Sequence, residues 1–223
     1  MNRATITRPA AQGQAGDNVW IDSSMRGLLA RLRLERPSDD AGQMIGVSAC
    51  ESGAGATWVA AQLAAATAAQ GEGPALLVEA HAGSAWLPGA LGFEPGAGLA
   101  DWVSGQHGLT ELLQQCGQPD LWALPAGSGQ PSPFDGLHLQ RLGAVLREEY
   151  PLTVVDLPPL SDLATAELAA VCDGVLLVVR AHHTRWQVAD RARRLLESAR
   201  APIWGVVLNR RRLALPSWLY RLA

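Results

Sequence analysis

Residues 44–57 read Met-Ile-Gly-Val-Ser-Ala-Cys-Glu-Ser-Gly-Ala-Gly-Ala-Thr. Met44–Ala49 is a short apolar run of strand character, and the alanine-rich stretch from Thr57 to about Gln70 has the composition of a helix. The residues between them, Cys50 to Ala56, therefore lie where a glycine-containing loop can cradle phosphate on backbone N–H groups and a helix N-terminus. Against the pattern G-x-x-x-x-G-K-[ST], Gly55 is the second glycine and Thr57 the magnesium-binding hydroxyl. Cys50 replaces the first glycine, and Ala56 stands where the lysine belongs. That lysine places positive charge on the β/γ-phosphates and on the charge that develops during transfer. Losing one such electrostatic stabiliser costs roughly 10²–10³ in rate. Ala56 supplies no cation, and Glu51 adds a negative charge beside the cradle. Read alone, Gly53 and Gly55 also fit an ordinary tight strand–helix turn.

Outward from this loop the chain alternates strand and helix. Apolar strands are expected at Ala75–Val78, Leu121–Leu124, Leu152–Val155, Gly174–Val179 and Ile203–Leu208, the last three buried. Helices are expected at Trp20–Leu34, Leu137–Glu149, near Thr165–Val171 and over Thr184–Arg200. A further helical stretch over Gly98–Gln115 is interrupted at Gly105–Gly108, and Gly83 to Gly98 reads as loop-rich. Short apolar strands alternating with helices predict an α/β fold, doubly wound, with a mostly parallel sheet covered on both faces. Residues 1–16 are small, polar and without periodicity, as in a disordered arm, and residues 17–223 form one domain. Arg36 to Gln43 has linker composition.

Several later segments resemble, in the same order, the bacterial tyrosine autokinases of capsule and exopolysaccharide synthesis, relatives of the MinD/ParA ATPases with a P-loop NTPase fold. Val154-Val155-Asp156-Leu157-Pro158-Pro159 is similar to the Walker B motif hhhDxPP, and LPAGSGQPSP precedes it. Asp173–Arg180, Thr184-Arg185 and Gly205–Arg210 follow the family pattern, as does GLADWVSGQHGLTELL at Gly98–Leu113. The resemblance runs from about Trp20 to the C-terminus. It implies that Asp156 and Thr57 hold magnesium, and that Gly53, Ala54, Gly55, Ala56, Thr57 and Asn209 surround a nucleotide, Asn209 near the adenine. Asp156 also reads as a turn cap before Pro158–Pro159, and Asn209 as a strand end.

The departures fall at the chemistry. The second acidic motif, hhhDxDxR, is replaced by Leu76-Leu77-Val78-Glu79-Ala80-His81-Ala82-Gly83. Glu79 can accept a hydrogen bond, but its extra methylene displaces the carboxylate, and His81 is a poor ligand for magnesium, which takes oxygen. Of the ring-contact motif ExxRxxR only Arg26 remains, with Ser23 and Leu29 at the other two positions. The C-terminal tyrosine cluster is missing: the chain has two tyrosines, Tyr150 and Tyr220. All 18 basic residues are arginine, so every lysine-based mechanism is excluded.

These features predict a non-catalytic component of cell-surface polysaccharide synthesis or export. Its partners would be a membrane-embedded co-polymerase or a related kinase, with homo-oligomerisation open and residual ATP or ADP with magnesium as the one cofactor to test. The alternatives are an active autokinase or ATPase completed by a neighbouring subunit, and a MinD-like positioning or regulatory adaptor. A net charge of −3 gives no reason to expect nucleic acid. Cys50, Cys116 and Cys172 are widely spaced, without the spacing of a disulfide framework or zinc site. His81, His182 and His183 make a weak metal set, and Ser48 and Ser52 lack a partner base. The first twenty residues contain no apolar h-region and no segment has the apolar length of a membrane span, so a cytoplasmic location is expected. The C-terminal Arg210-Arg211-Arg212 with Leu213, Leu215, Trp218, Leu219 and Tyr220 suits either docking at the inner face of the membrane or packing on its own domain.

Overall fold

The computed structural model describes residues 23–34, 42–71, 73–80, 86–127, 136–161 and 163–210. The expected arm at 1–16 and the C-terminal segment from 211 onward lie outside them, as do His81 and most of the linker. Seven strands form one sheet: β1 (Gln43–Ala49), β2 (Ala75–Glu79), β3 (Gln114–Gln115), β4 (Leu121–Leu124), β5 (Leu152–Asp156), β6 (Gly174–Arg180) and β7 (Ile203–Asn209). Their order is β3-β4-β2-β5-β1-β6-β7, parallel throughout except for the β3–β4 pair. β1 therefore lies inside the sheet, flanked by β5 and β6.

The helices divide between the two faces, as a doubly wound sheet requires. On one face α1 (Ser23–Leu34), α2 (Ala56–Ala68) and α3 (Trp86–Leu91) bury Met25, Leu29, Leu32, Val59, Leu63, Leu87 and Leu91 against Ile45, Val47, Leu77 and Val154. On the other, α4 (Leu99–Val103), α5 (Leu109–Leu112), α6 (Gly136–Glu149), α7 (Leu163–Ala169) and α8 (Trp186–Ser198) pack on Met44, Leu76, Val78, Val155, Val175 and Leu177. Along α2 every residue except Thr57 and Trp58 is buried. A helix apolar on all sides belongs in an interior.

The loop-rich stretch 83–98 also holds a helix, Trp86–Leu91, despite Pro88 and Gly89. Proline is tolerated in a first helical turn because the N–H groups there have no intrahelical acceptor. Leu87 and Leu91, four apart, anchor that turn in the core. The helical stretch expected to Gln115 ends at Leu112, and Gln114–Gln115 pair antiparallel with β4. β7 was expected to be buried, but it is an edge strand whose Val206 and Leu208 are 62% and 54% exposed. An apolar run reads the same whether its strand lies inside a sheet or at its edge.

β7 also carries a bulge: Ile203 pairs with Val175 while Gly205 pairs with Leu176, which leaves Trp204 as the extra residue. The Trp204 indole lies directly on Gly174, where an added Cβ would come within 1.9 Å of the ring. At the same end of β1, Asp173 accepts from the Met44 N–H at 2.7 Å and from Arg147 Nη2 at 2.8 Å, which ties β1 to α6 and to the start of β6.

Candidate functional site

The carboxyl ends of β1, β5 and β2 lie side by side, with Val47 opposite Asp156 and Asp156 opposite Glu79. In an open parallel sheet this edge is where ligands bind. The loop after β1 reaches it through two left-handed glycines, Gly53 at φ 78° and Gly55 at φ 95°, the latter serving as N-cap of α2. The first N–H groups of α2 then point into the loop, as in an anion cradle. Gly53 and Gly55 thus turn the chain from β1 into α2 through two left-handed residues. Ala56 is the first residue of α2 and is 9% exposed, so its methyl is packed into the core, and Thr57 follows half-buried.

Asn209, 155 residues beyond Ala54, meets the loop. Its Nδ2 donates to the Ala54 carbonyl at 2.9 Å, and its Oδ1 accepts from the Arg210 N–H at 2.8 Å. A Cβ on Gly55 would stand 2.3 Å from that Nδ2. Gly55 is therefore required twice, by its φ and by the close approach of the amide. The side chain of Asn209 thus holds the loop after β1.

Asp156 is wholly buried at the end of β5, and its carbonyl accepts from the Ala80 N–H. The Leu-Pro-Pro segment after it is stitched to β1 by the groups proline leaves available. The Leu157 N–H donates to Val47, the Leu160 N–H donates to Ala49, and the Ser48 hydroxyl donates to the Pro158 carbonyl at 2.6 Å. Ser48 is thereby a structural hydroxyl. Glu79 accepts a hydrogen bond, as expected: its Oε2 takes the Ala126 N–H at 3.0 Å. That bond fixes the chain after β4, where Leu99 and Ala100 donate to the Pro125 and Ala126 carbonyls. Asp101, in the segment that resembles the family, caps α4 by accepting from the Gly98 N–H at 2.7 Å.

One contact escaped the sequence. The Thr184 hydroxyl, in the turn after β6, donates to Glu51 Oε1 at 2.5 Å and accepts from the Arg180 N–H at 3.0 Å. Thr184 and Glu51 were each legible as single residues, but 133 positions separate them and nothing local pairs them. His182 and His183 are exposed in the same turn, with His182 at φ 59°. Among the described residues no group of three or more His, Cys, Asp or Glu side chains is placed to hold a metal ion. Burial, with the Glu51 carboxylate second, pushes the Cys50 thiol up to about 11. Burial likewise raises Cys116 and Cys172 to about 12. None is a thiolate nucleophile near neutrality. Tyr150 is buried, so its hydroxyl is no phosphoacceptor in the folded protein. No described helix is long and apolar enough to cross a membrane.

No family model matches this chain. Its homologues among curated proteins are bacterial tyrosine-protein kinases. It is 23% identical over 117 residues to the tyrosine-protein kinase CpsD of Streptococcus agalactiae, a match covering 51% of each protein. It is 29% identical over 209 residues to EpsB of Ralstonia solanacearum, covering 91% of this chain and 28% of that one. The chain thus spans about half the length of CpsD and less of EpsB. Among solved structures, the kinase domain of Escherichia coli ETK superposes with a TM-score of 0.74 at 21% identity, over 86% of this chain and 78% of that one. The cell-division ATPase MinD of Pyrococcus furiosus superposes at 0.65 and 22% identity, over 79% and 77%. The fold is that of the MinD/ParA-like P-loop NTPases.

Proposed function

We propose that this relative of the bacterial tyrosine-protein kinases is a non-catalytic component of capsule or exopolysaccharide synthesis or export. It acts by docking on a membrane-embedded co-polymerase or on an active partner kinase at the inner face of the membrane. The observation that carries this reading is Ala56. The loop keeps its left-handed glycines and its helix, while the position of the phosphate-binding cation holds a methyl group packed into the core. The altered second acidic motif supports it, because the Glu79 carboxylate is engaged with the Ala126 N–H. So does the burial of Tyr150, which leaves Tyr220, outside the described residues, as the other tyrosine of the chain.

The retained parts have a use without catalysis. Gly53, Gly55, Thr57 and Asn209 give the carboxyl edge of the sheet a fixed shape that a partner can recognise. If magnesium and ADP or ATP bind, Thr57 and Asp156 would be the oxygen ligands by resemblance to the family, and phosphoryl transfer would still lack the charge that lysine supplies. The test is a titration of purified protein with ATP and ADP, with and without magnesium, beside an autophosphorylation assay. No phosphate transfer is expected. Clear turnover that Asp156→Ala abolishes would sink the proposal.

A further inference from the structure

β7 pairs with β6 on one side, and among the described residues no strand pairs with it on the other. In a parallel ladder alternate residues direct their N–H and C=O groups to the partner strand. The Asn209 carbonyl accepts from the Ala181 N–H, so Asn209 faces β6, and Val207 and Gly205 face it by the same alternation. Val206 and Leu208 therefore turn their backbone groups to the open edge. Val207 packs on the α1–α2 side of the sheet, which puts the Val206 and Leu208 side chains on the α8 side, both exposed. An apolar edge with unpaired backbone groups is a template for one more strand.

The chain supplies a matching segment directly after β7. Arg210 is left-handed at φ 55°, a conformation of tight turns, and the sequence then reads Arg211-Arg212-Leu213-Ala214-Leu215-Pro216. A four-residue connection, Asn209 to Arg212, is a common hairpin length. It sets Leu213 opposite Leu208 and Leu215 opposite Val206, so the hydrogen-bonded pairs fall at the two residues of β7 that point outward. Ala214 then lies opposite Val207 and Pro216 opposite Gly205, at positions whose N–H would point away from β7. Proline is accepted in an edge strand on those terms. A three-residue connection would instead set Arg212 and Ala214 against Leu208 and Val206, and both apolar pairs would be lost.

We propose that the open edge of β7 is a docking surface for residues 213–216 of the same chain, which add to it as a short antiparallel strand over Val206 and Leu208. The tether decides between this segment and a second copy: a connection of a few residues holds its strand at an effective concentration on the order of millimolar. A short strand ending in proline also makes a poor template in its turn, so the sheet stops there. The proposal does not depend on whether the loop after β1 binds nucleotide.

Amide exchange followed by NMR on the full chain reads this residue by residue. The Val206 and Leu208 N–H groups should exchange roughly tenfold or more slowly in the wild type than in Leu215→Pro, which removes a ladder donor. Ala214→Pro removes an N–H that points outward and should leave both rates within about threefold of the wild type. Fast exchange of both amides in the wild type, or equal effects of the two prolines, would overturn the proposal. The register has its own check. Val207→Cys with Ala214→Cys makes a directly opposed pair with Cα atoms about 4.5 Å apart, within disulfide reach, and should oxidise within one chain. Val207→Cys with Arg212→Cys is a diagonal pair at the limit of that reach and should oxidise far more slowly. The natural cysteines are buried and do not compete. Cross-links between two chains would overturn the proposal in favour of a second copy. Protection of Val206 and Leu208 that appears only with anionic phospholipid vesicles would overturn it in favour of a membrane surface.

Discussion

The shape of the loop rests on one amide, and this can be measured. At Gly55, alanine meets two separate costs. The first is conformational: φ 95° is left-handed, and an L-residue there costs about 1–2 kcal/mol. The second is steric: the new Cβ would stand 2.3 Å from Asn209 Nδ2, so the side chain must withdraw and its bond to the Ala54 carbonyl is lost, about 1 kcal/mol more. The total is roughly 2–3 kcal/mol. Gly53 supplies the control. Its φ of 78° carries the conformational cost, but a Cβ there has nothing within 4 Å, so Gly53→Ala should cost only about 1–2 kcal/mol. Urea unfolding followed by circular dichroism gives both values. A double-mutant cycle then isolates the contact, because in an Asn209→Ala background Gly55→Ala should fall to the cost of Gly53→Ala. The reasoning fails if the two glycine substitutions cost the same in the wild-type background. It fails equally if removing Asn209 leaves the cost of Gly55→Ala unchanged.

Gly174→Ala should destabilise by about 1–3 kcal/mol, because the Trp204 ring must leave its seat; urea unfolding checks it, and a cost below a few tenths would mean that the ring is held elsewhere. Stability should fall with rising alkali from about pH 9 toward pH 11–12. The buried thiols of Cys50, Cys116 and Cys172 stay protonated in the folded protein, while those of the unfolded chain ionise from about 9, so the unfolded state holds fewer protons across that window. A triple Cys→Ser variant should lose that part of the pH slope, and a thiol reagent at pH 8 should label the native protein far more slowly than the denatured one. Arg147→Ala should cost about 0.5–1 kcal/mol, attenuated by salt, since its ion pair with Asp173 is partly exposed; a loss above 3 kcal/mol would show that Asp173 depends on it to hold the Met44 N–H.

How far the sequence alone reaches is visible in single elements. Residues 44–57 were enough to locate a strand, a glycine loop and a helix, and to find alanine at the decisive position. Strand and helix are set by near neighbours, through periodicity and glycine torsions. For the same reason the strands at Leu121–Leu124 and Leu152–Asp156 and the helix ending at Glu149 stand within a residue of expectation. Trp86–Leu91 was illegible because Pro88 and Gly89 outweigh two leucines in a local reading, and the core that binds Leu87 and Leu91 is not local. The edge exposure of β7 depends on strand order, which no run of apolar residues encodes.

The sequence by itself determined that the chain alternates strand and helix, that a glycine loop without lysine follows its first strand, and that Asp156 directly follows an apolar strand at Leu152–Val155. Tertiary structure alone decided what that loop touches. Placing β1 between β5 and β6 brings Thr184 onto Glu51 and sets Asp156 beside Val47; with β7 on the far side of β6, Asn209 reaches Ala54. Contacts spanning 133 and 155 residues arise from parallel crossovers, whose partners are chosen by the packing of whole helices on the sheet and not by the residues that finally meet.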